Sequence, residues 1–154
     1  MRVTIVAVGR LRAGPEATLI ADYLGRFDRT GRPLGLGPAQ VVEVEDRRGG
    51  GMAAEAALIE AAIPRGARRV ALDERGRAPS SPEFAALLQG WAESGPRDLA
   101  LLIGGADGLD PRLRGPEAIS FGRMVWPHML LRAMLAEQLY RAATILAGGP
   151  YHRA

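Results

Sequence analysis

Short apolar runs alternate with helical patterns along the whole chain, and this alternation constrains the fold more than any other feature. The runs at residues 3–8 and 98–103 have the length and apolar character of buried strands. Pro15 and the sequence Ser81-Pro82-Glu83 are typical of helix starts. Strands that alternate with helices predict βαβ units and a parallel sheet covered on both faces.

The predicted elements cover most of the chain. Strands are expected at residues 3–8, 41–45, 69–73, 98–103 and 124–126, and helices at 15–27, from the 49–51 glycines to 63, from Ser81, after Asp110 and from Pro127 to Ala147. Residues 29–38 are rich in Gly and Pro and predict a loop. No internal repeat or linker is visible, so residues 1–154 are expected to form a single α/β domain.

The loops that follow the predicted strands are the first places to look for a ligand. In open parallel sheets, ligands bind beyond the carboxyl ends of the strands. This rule selects the loop after Asp73, the loop after Ile103 and the segment 121–126.

The composition excludes several classes of site. All 20 basic residues are arginine, and the sequence has no Lys, no Asn, no Cys and only two His. Without Lys, a P-loop lysine and a lysine Schiff base are excluded. Without Cys, thiol nucleophiles, disulfides, iron–sulfur clusters and zinc–thiolate sites are excluded as well. His128 and His152 cannot form a three-His zinc site, which leaves only mixed sites with carboxylates.

The net charge of +3 is unevenly placed. Residues 123–154 carry four Arg and one acidic residue, and a basic end of this kind suits an anionic partner such as RNA. The apolar run at 3–8 is unlike a signal peptide, and charged residues interrupt the late apolar stretch. No membrane partner is expected, and the cytoplasm is the expected location.

The helix predicted from Pro127 is apolar on nearly all sides and is therefore expected to be buried. Its second apolar stripe has small side chains and could pack either within the chain or against a second subunit; it consists of Met129, Ala133, Ala136, Tyr140 and Ala143. Arg132 lies between the two apolar stripes, so its guanidinium must pair with a carboxylate or serve a site. Glu137 and Arg141 have the i, i+4 spacing of a helix-stabilising pair.

Two further segments have features that suit a ligand. The run Ile103-Gly104-Gly105-Ala106-Asp107-Gly108 lets a ligand approach the backbone closely, although a tight turn alone would also explain it. A side chain at Gly104 is expected to block the ligand and leave the strand intact. The tail places Tyr151, His152 and Arg153 side by side, which suits a stacked base and a phosphate, whereas a disordered terminus is the simpler interpretation.

These residues together closely resemble the RlmH family, and the resemblance extends over essentially the whole chain. It is carried by Val6–Arg12, Leu102–Leu109, Trp126–Arg132, Glu137–Ala142 and Pro150–Arg153. The family comprises SPOUT-class methyltransferases that modify N3 of a pseudouridine in large-subunit (23S) ribosomal RNA. The resemblance implies an α/β fold with a parallel sheet flanked by helices, a C-terminal deep trefoil knot and a homodimer. Because Ala136 belongs to the second apolar stripe, Ala136→Arg is expected to disrupt the association of the two subunits.

The resemblance also implies a set of site residues. It assigns the S-adenosylmethionine pocket to Leu72, Gly104, Phe121, Gly122, Arg123, Met124, Val125 and Trp126. Tyr151 and His152 match the family's C-terminal tail, which is expected at the catalytic cleft near the partner subunit's cofactor. His152 is the first choice for a proton acceptor, Tyr151 and Arg132 are further catalytic candidates, and no metal is required.

The expected function is therefore methyl transfer from S-adenosylmethionine to N3 of a pseudouridine, on an assembled ribosomal particle because the basic patch is small. Two alternatives remain open, namely a non-catalytic ribosome-associated RNA-binding assembly factor and a small-molecule-binding α/β protein. Binding of S-adenosylmethionine and transfer from a labelled donor to ribosomal subunits separate the three.

Overall fold

Five strands and five α-helices alternate along the chain in a computed structural model that describes residues 1–154. In chain order they are β1 (Arg2–Val8), α1 (Pro15–Gly31), β2 (Ala39–Val44), α2 (Gly51–Ala62), β3 (Arg68–Arg77), α3 (Ser81–Glu93), β4 (Asp98–Ile103), α4 (Pro111–Arg114), β5 (Ala118–Ile119) and α5 (His128–Leu146). A 3₁₀ turn at Arg32–Leu34 follows α1. No helix is both long enough and apolar enough to span a membrane.

The strands form one parallel sheet in the order β2-β1-β4-β3-β5. Leu101 of β4 pairs with Ile5 of β1 on one side and with Val70 of β3 on the other. Every residue of β4 is buried, which explains why its sequence is a nearly continuous apolar run. The predicted parallel sheet is confirmed.

Helices cover both faces of the sheet, each over its own core. Alternate side chains of a strand point to opposite faces. Val3, Ile5 and Ala7 therefore lie in the larger core, under α1, α3 and α5. Val6 and Val8 lie in the smaller core, under α2 and α4.

Helix α5 packs against α1 and α3 with both of its apolar stripes. Ala133, Ala136 and Ala143 of the second stripe are buried in the larger core. The small side chains of this stripe therefore serve packing within the chain, and they are not available to a second subunit. The expectation that Ala136→Arg would place a charge in a subunit interface is wrong for this reason, because the residue lies in the core of the chain.

The main differences from the sequence prediction concern α1, β3 and the fifth strand. Helix α1 continues to Gly31, and β3 runs on to Arg77. The strand predicted at 124–126 is wrong, because this segment is a loop in which Met124 and Val125 are 72% and 83% exposed. The fifth strand is instead the two-residue β5, which pairs with β3 on both sides of a register shift.

Candidate active site

A cavity of about 300 Å³ is lined by residues 72–75 of β3, by the loops that follow β4 and β5, and by the first turn of α5. This volume lies at the lower end of the range for small-molecule sites. The wall contains seven of the eight residues assigned above to the S-adenosylmethionine pocket: Leu72, Gly104, Phe121, Gly122, Met124, Val125 and Trp126. Arg123 does not line the cavity. The three segments selected from the sequence therefore meet at one place, although the residues that follow Leu72 continue strand β3 and do not form a loop.

Gly104 is required by the protein's own backbone. A Cβ atom at residue 104 would lie 2.5 Å from the carbonyl oxygen of Gly108 and 2.6 Å from the nitrogen of Leu109. The turn is closed by a hydrogen bond of 3.0 Å that the N–H of Gly108 donates to the carbonyl of Gly105. A side chain at Gly104 would therefore push this turn open, and the expectation that it would affect only the ligand is wrong.

Hydrogen bonds within the loop after β5 stabilise its conformation. The Ser120 hydroxyl donates to the carbonyl of Gly122 at 2.8 Å and accepts from its N–H at 3.1 Å. The indole N–H of Trp126 points back to the carbonyl of Phe121 at 3.4 Å. These contacts hold the segment against the cavity and leave Met124 and Val125 at its exposed side.

An ion pair lies in the cavity wall. Asp73, whose side chain is only 7% exposed, approaches the Nε of Arg114 to 2.6 Å. The other oxygen of Asp73 accepts from the backbone N–H of Arg75 at 2.8 Å. Glu74 and Asp107 also line the cavity, so its polar surface carries more negative than positive charge.

His128 is a cavity residue that the sequence argument did not select. It is the first residue of α5, and its Nδ1 is buried without a hydrogen-bond partner. Its position directly after Pro127, next to the predicted loop, is the signal that could have identified it. Leu131, one turn further along α5, completes this side of the wall.

Arg132 is fully buried and does not line the cavity. Its Nη1 donates to Glu43 at 2.8 Å, and its Nη2 donates to the carbonyls of Val8 and Gly9 at 2.7 and 2.8 Å. The same Glu43 oxygen accepts from the backbone N–H of Leu11 at 2.5 Å. Arg132 thus finds the carboxylate that its burial required, and it fixes the end of β1 to α5.

The C-terminal tail is ordered against α5 and α1. The Tyr151 hydroxyl donates to Glu137 at 3.0 Å, and Arg141 binds the same carboxylate oxygen. The ring of Tyr151 lies 4.6 Å from the ring of Tyr140, centroid to centroid, and 4.8 Å from the Arg141 guanidinium. Nη1 of Arg141 lies 3.2 Å from Nδ1 of His152. The expectation of a disordered terminus is therefore wrong.

The tail is electrostatically coupled to α5. Burial, together with hydrogen bonds to Glu137 and Tyr23, raises the pKa of Tyr151 well above its usual range. The hydrogen bond to Glu137 also raises the pKa of Arg141, although burial opposes this shift. Tyr151 is therefore a neutral donor and Arg141 a permanent cation at physiological pH.

Within one chain the tail lies beside the cavity and not in it. Tyr151 and His152 are absent from its wall. Glu137, which holds Tyr151, lines an adjacent cavity of about 480 Å³ that shares Ser120, Phe121 and Gly122 with the first. The structure therefore brings the cavity residues together, but the tail lies outside this cavity, on the far side of residues 120–122.

The chain is similar to known methyltransferases over its full length. A family model described as "Predicted SPOUT methyltransferase" matches residues 1–152. Proteins named "Ribosomal RNA large subunit methyltransferase H" are 71% identical in Dinoroseobacter shibae and 68% identical in Ruegeria pomeroyi and in Paracoccus denitrificans. Each alignment covers 99% of this chain and 99% of the relative. The similarity includes all three segments that line the cavity and most of the tail.

Proposed function

This chain belongs to the SPOUT methyltransferase family, among the ribosomal RNA large subunit methyltransferase H proteins, and we propose that it methylates N3 of a pseudouridine in large-subunit ribosomal RNA. S-adenosylmethionine is the proposed donor, and its sulfonium supplies both the methyl group and the leaving group. The protein's own residues must hold this donor, align it with the reacting nitrogen and exclude bulk water. We place the reaction in the cytoplasm, on an assembled ribosomal particle.

The convergence of residues 72–75 of β3 and of the loops after β4 and β5 on one cavity carries this proposal. The backbone of residues 104–109 lines the cavity and would hydrogen-bond an adenosine there, and Leu72 and Leu131 offer apolar surface for its ring. Asp107 contributes negative charge to a wall that would face a positively charged sulfonium. The residues present therefore fit the donor.

We also propose that the protein is a homodimer in which the tail of one subunit completes the site of the other. Two features support this arrangement. Tyr151 and His152 lie outside the cavity of their own chain, and the apolar side chains of Met124 and Val125 in the cavity wall and of Leu130 in α5 are exposed. Arg132 has only internal partners, so we assign it a positioning role, and Tyr151 and His152 remain the catalytic candidates.

The deep trefoil knot expected from the resemblance is part of the same proposal. Its support is the path of the last third of the chain. Residues 104–109, 120–122 and 124–126 line one cavity, and the chain then continues into α5, which returns to the end of β1 through Arg132.

A transfer assay tests the proposed function. Ribosomal subunits from cells that lack this protein are incubated with labelled S-adenosylmethionine, and the modified nucleotide is mapped by mass spectrometry. We expect one methyl group on one pseudouridine of the large-subunit RNA. Donor binding without transfer to free RNA, subunits or ribosomes would favour the assembly factor instead. Absence of donor binding in calorimetry would favour a different small-molecule-binding protein.

A pair of variants ties the assay to the cavity. Trp126 lines the cavity, whereas the similarly exposed Leu34 lies outside it. Trp126→Ala is expected to weaken donor binding about tenfold or more, since it removes buried apolar contact area. Leu34→Ala is expected to bind the donor as the wild type does. Equal affinities in the two variants would place the donor elsewhere.

A further inference from the structure

A single carboxylate oxygen organises the C-terminal tail. Oε1 of Glu137 accepts from Nε of Arg141 at 3.0 Å, from Nη2 of Arg141 at 2.5 Å and from the Tyr151 hydroxyl at 3.0 Å. The side chains of Glu137 and Arg141 are only 18% and 25% exposed. These two residues therefore do more than stabilise a solvated helix face.

The remaining arm of Arg141 determines the state of the His152 ring. Nη1 of Arg141 lies 3.2 Å from Nδ1 of His152. A guanidinium has N–H donors and no acceptor, so Nδ1 must be the acceptor in this contact. A neutral imidazole that accepts at one nitrogen carries its proton on the other. His152 is therefore left with an N–H donor at Nε2.

We propose that Glu137 and Arg141 are positioning residues that fix His152 as an Nε2–H donor to a carbonyl oxygen of the target base, so that His152 does not take the proton from the reacting nitrogen. The proposal rests on the proposed function and specifies the role of His152 in it. It replaces the expectation that His152 is the proton acceptor.

The chemistry of the base gives such a donor a purpose. When N3 loses its proton to a water molecule, the negative charge spreads onto the two carbonyl oxygens that flank it. An N–H group placed at one of these oxygens stabilises the charge as it develops. The electron pair of N3 then forms the bond to the methyl carbon, and the pair of the broken carbon–sulfur bond remains on sulfur.

Nuclear magnetic resonance measures the tautomer without any RNA. The chain has only two histidines, so the ring-¹⁵N spectrum of histidine-labelled protein contains two sets of signals, and His152→Ala assigns them. At a pH where the ring is neutral, we expect the Nε2–H form of His152 in the wild type and a mixture of tautomers in Arg141→Met. An Nδ1–H ring in the wild type, or the same tautomer ratio in both proteins, would overturn the role of Arg141.

Methyl transfer by two substitutions of His152 separates a donor from a proton acceptor. The amide of glutamine places an N–H group close to the position of Nε2 but cannot take up a proton at neutral pH. We expect His152→Ala to lower kcat/KM by about 10²-fold, as the loss of a comparable donor does, and His152→Gln to recover at least about tenfold of this loss. Equal loss in both variants would favour a proton acceptor, and no loss in either would remove His152 from the site. Both outcomes contradict the proposal.

Glu137→Gln provides the matching test of the first positioning residue. Its neutral side chain keeps the shape of Glu137 but weakens the hold on Arg141 and Tyr151. We expect a lower kcat with little change in donor affinity, together with the mixed tautomer signals of His152. Transfer and tautomer equal to those of the wild type would remove Glu137 from the proposal. If the wild type transfers no methyl group, the proposed function fails, and the tautomer measurement still decides the role of Arg141.

Discussion

At the scale of single residues, the backbone of the 104–109 turn leaves no room for a side chain at Gly104. We expect Gly104→Ala to destabilise the protein by roughly 1–3 kcal/mol, since the added methyl group forces the 104–109 turn apart. Loss of S-adenosylmethionine binding should follow, because the displaced turn forms part of the wall. Thermal unfolding and calorimetry measure the two effects.

Gly90 provides the control for this substitution. It lies exposed in the last turn of α3 with open space where a Cβ would be. Gly90→Ala should be stabilising by about 0.5–1 kcal/mol and should bind the donor normally. Equal stability of the two variants would show that the turn at 104–109 adapts more easily than its geometry indicates.

Tyr151 should make the stability of the protein depend on pH in the alkaline range. Its pKa is raised in the folded state by burial and by the hydrogen bond to Glu137, whereas in the unfolded chain it is close to 10. Its contribution is therefore complete below about pH 10 and decreases as the pH rises further, because only the unfolded chain then loses the proton.

Tyr151→Phe isolates this contribution, since it keeps the aromatic contacts and removes only the hydroxyl. Urea unfolding should show the wild type more stable by about 1 kcal/mol near pH 8. The difference between the two proteins should shrink near pH 11, because effects that are common to both proteins cancel in the comparison. A constant difference would mean that the hydroxyl does not stay protonated in the folded tail.

At the scale of elements, two substitutions in α5 distinguish an effect on folding from an effect on association. Ala136→Arg is expected to cost roughly 3–5 kcal/mol and to unfold the chain, since it buries an unpaired charge in the larger core. Leu130→Arg changes a residue on the exposed side of the same helix. This variant should stay folded by circular dichroism and become monomeric in sedimentation. A folded dimer would place the interface elsewhere.

The elements that the sequence predicted well are those with a strong local pattern. β1 and β4 are nearly continuous apolar runs, and α3 begins with a capping box in which Ser80 and Glu83 bind each other's backbone N–H. β5 has only two residues, and its position depends on pairing with β3, which is more than 40 residues earlier. No local pattern can specify such a strand, because its stabilisation is entirely tertiary.

The candidate site was also predictable only in part. The cavity was accessible to prediction because a general rule places ligands at the carboxyl ends of parallel strands. The partners of individual side chains were not. Glu43, which binds Arg132, is 89 residues away from it, and the i, i+4 pair of Glu137 and Arg141 gave no sign that it also holds the tail.

At the scale of the whole molecule, the tail should be separable from the rest. A chain that ends at Gly149 keeps the cavity and α5 and should remain folded, dimeric and able to bind the donor. Methyl transfer to ribosomal particles should nevertheless fall by at least about 10²-fold, as expected for the loss of a positioned polar group. Removal of Ala154 alone serves as the control. Unchanged transfer by the shorter chain would exclude the tail from the reaction.

Because β1 pairs with β4, the central part of the sheet can form only after the ribosome has translated β4. Asp98 follows Val8 by 90 positions, so at roughly 5–20 residues per second the first strand waits several seconds or more for its inner neighbour. During that time β2 can protect one edge of β1, while the other edge stays open to foreign strands. Arg132, which binds the carbonyls of Val8 and Gly9, is translated later still. Slow translation of the middle of the chain should therefore favour aggregation of the nascent protein.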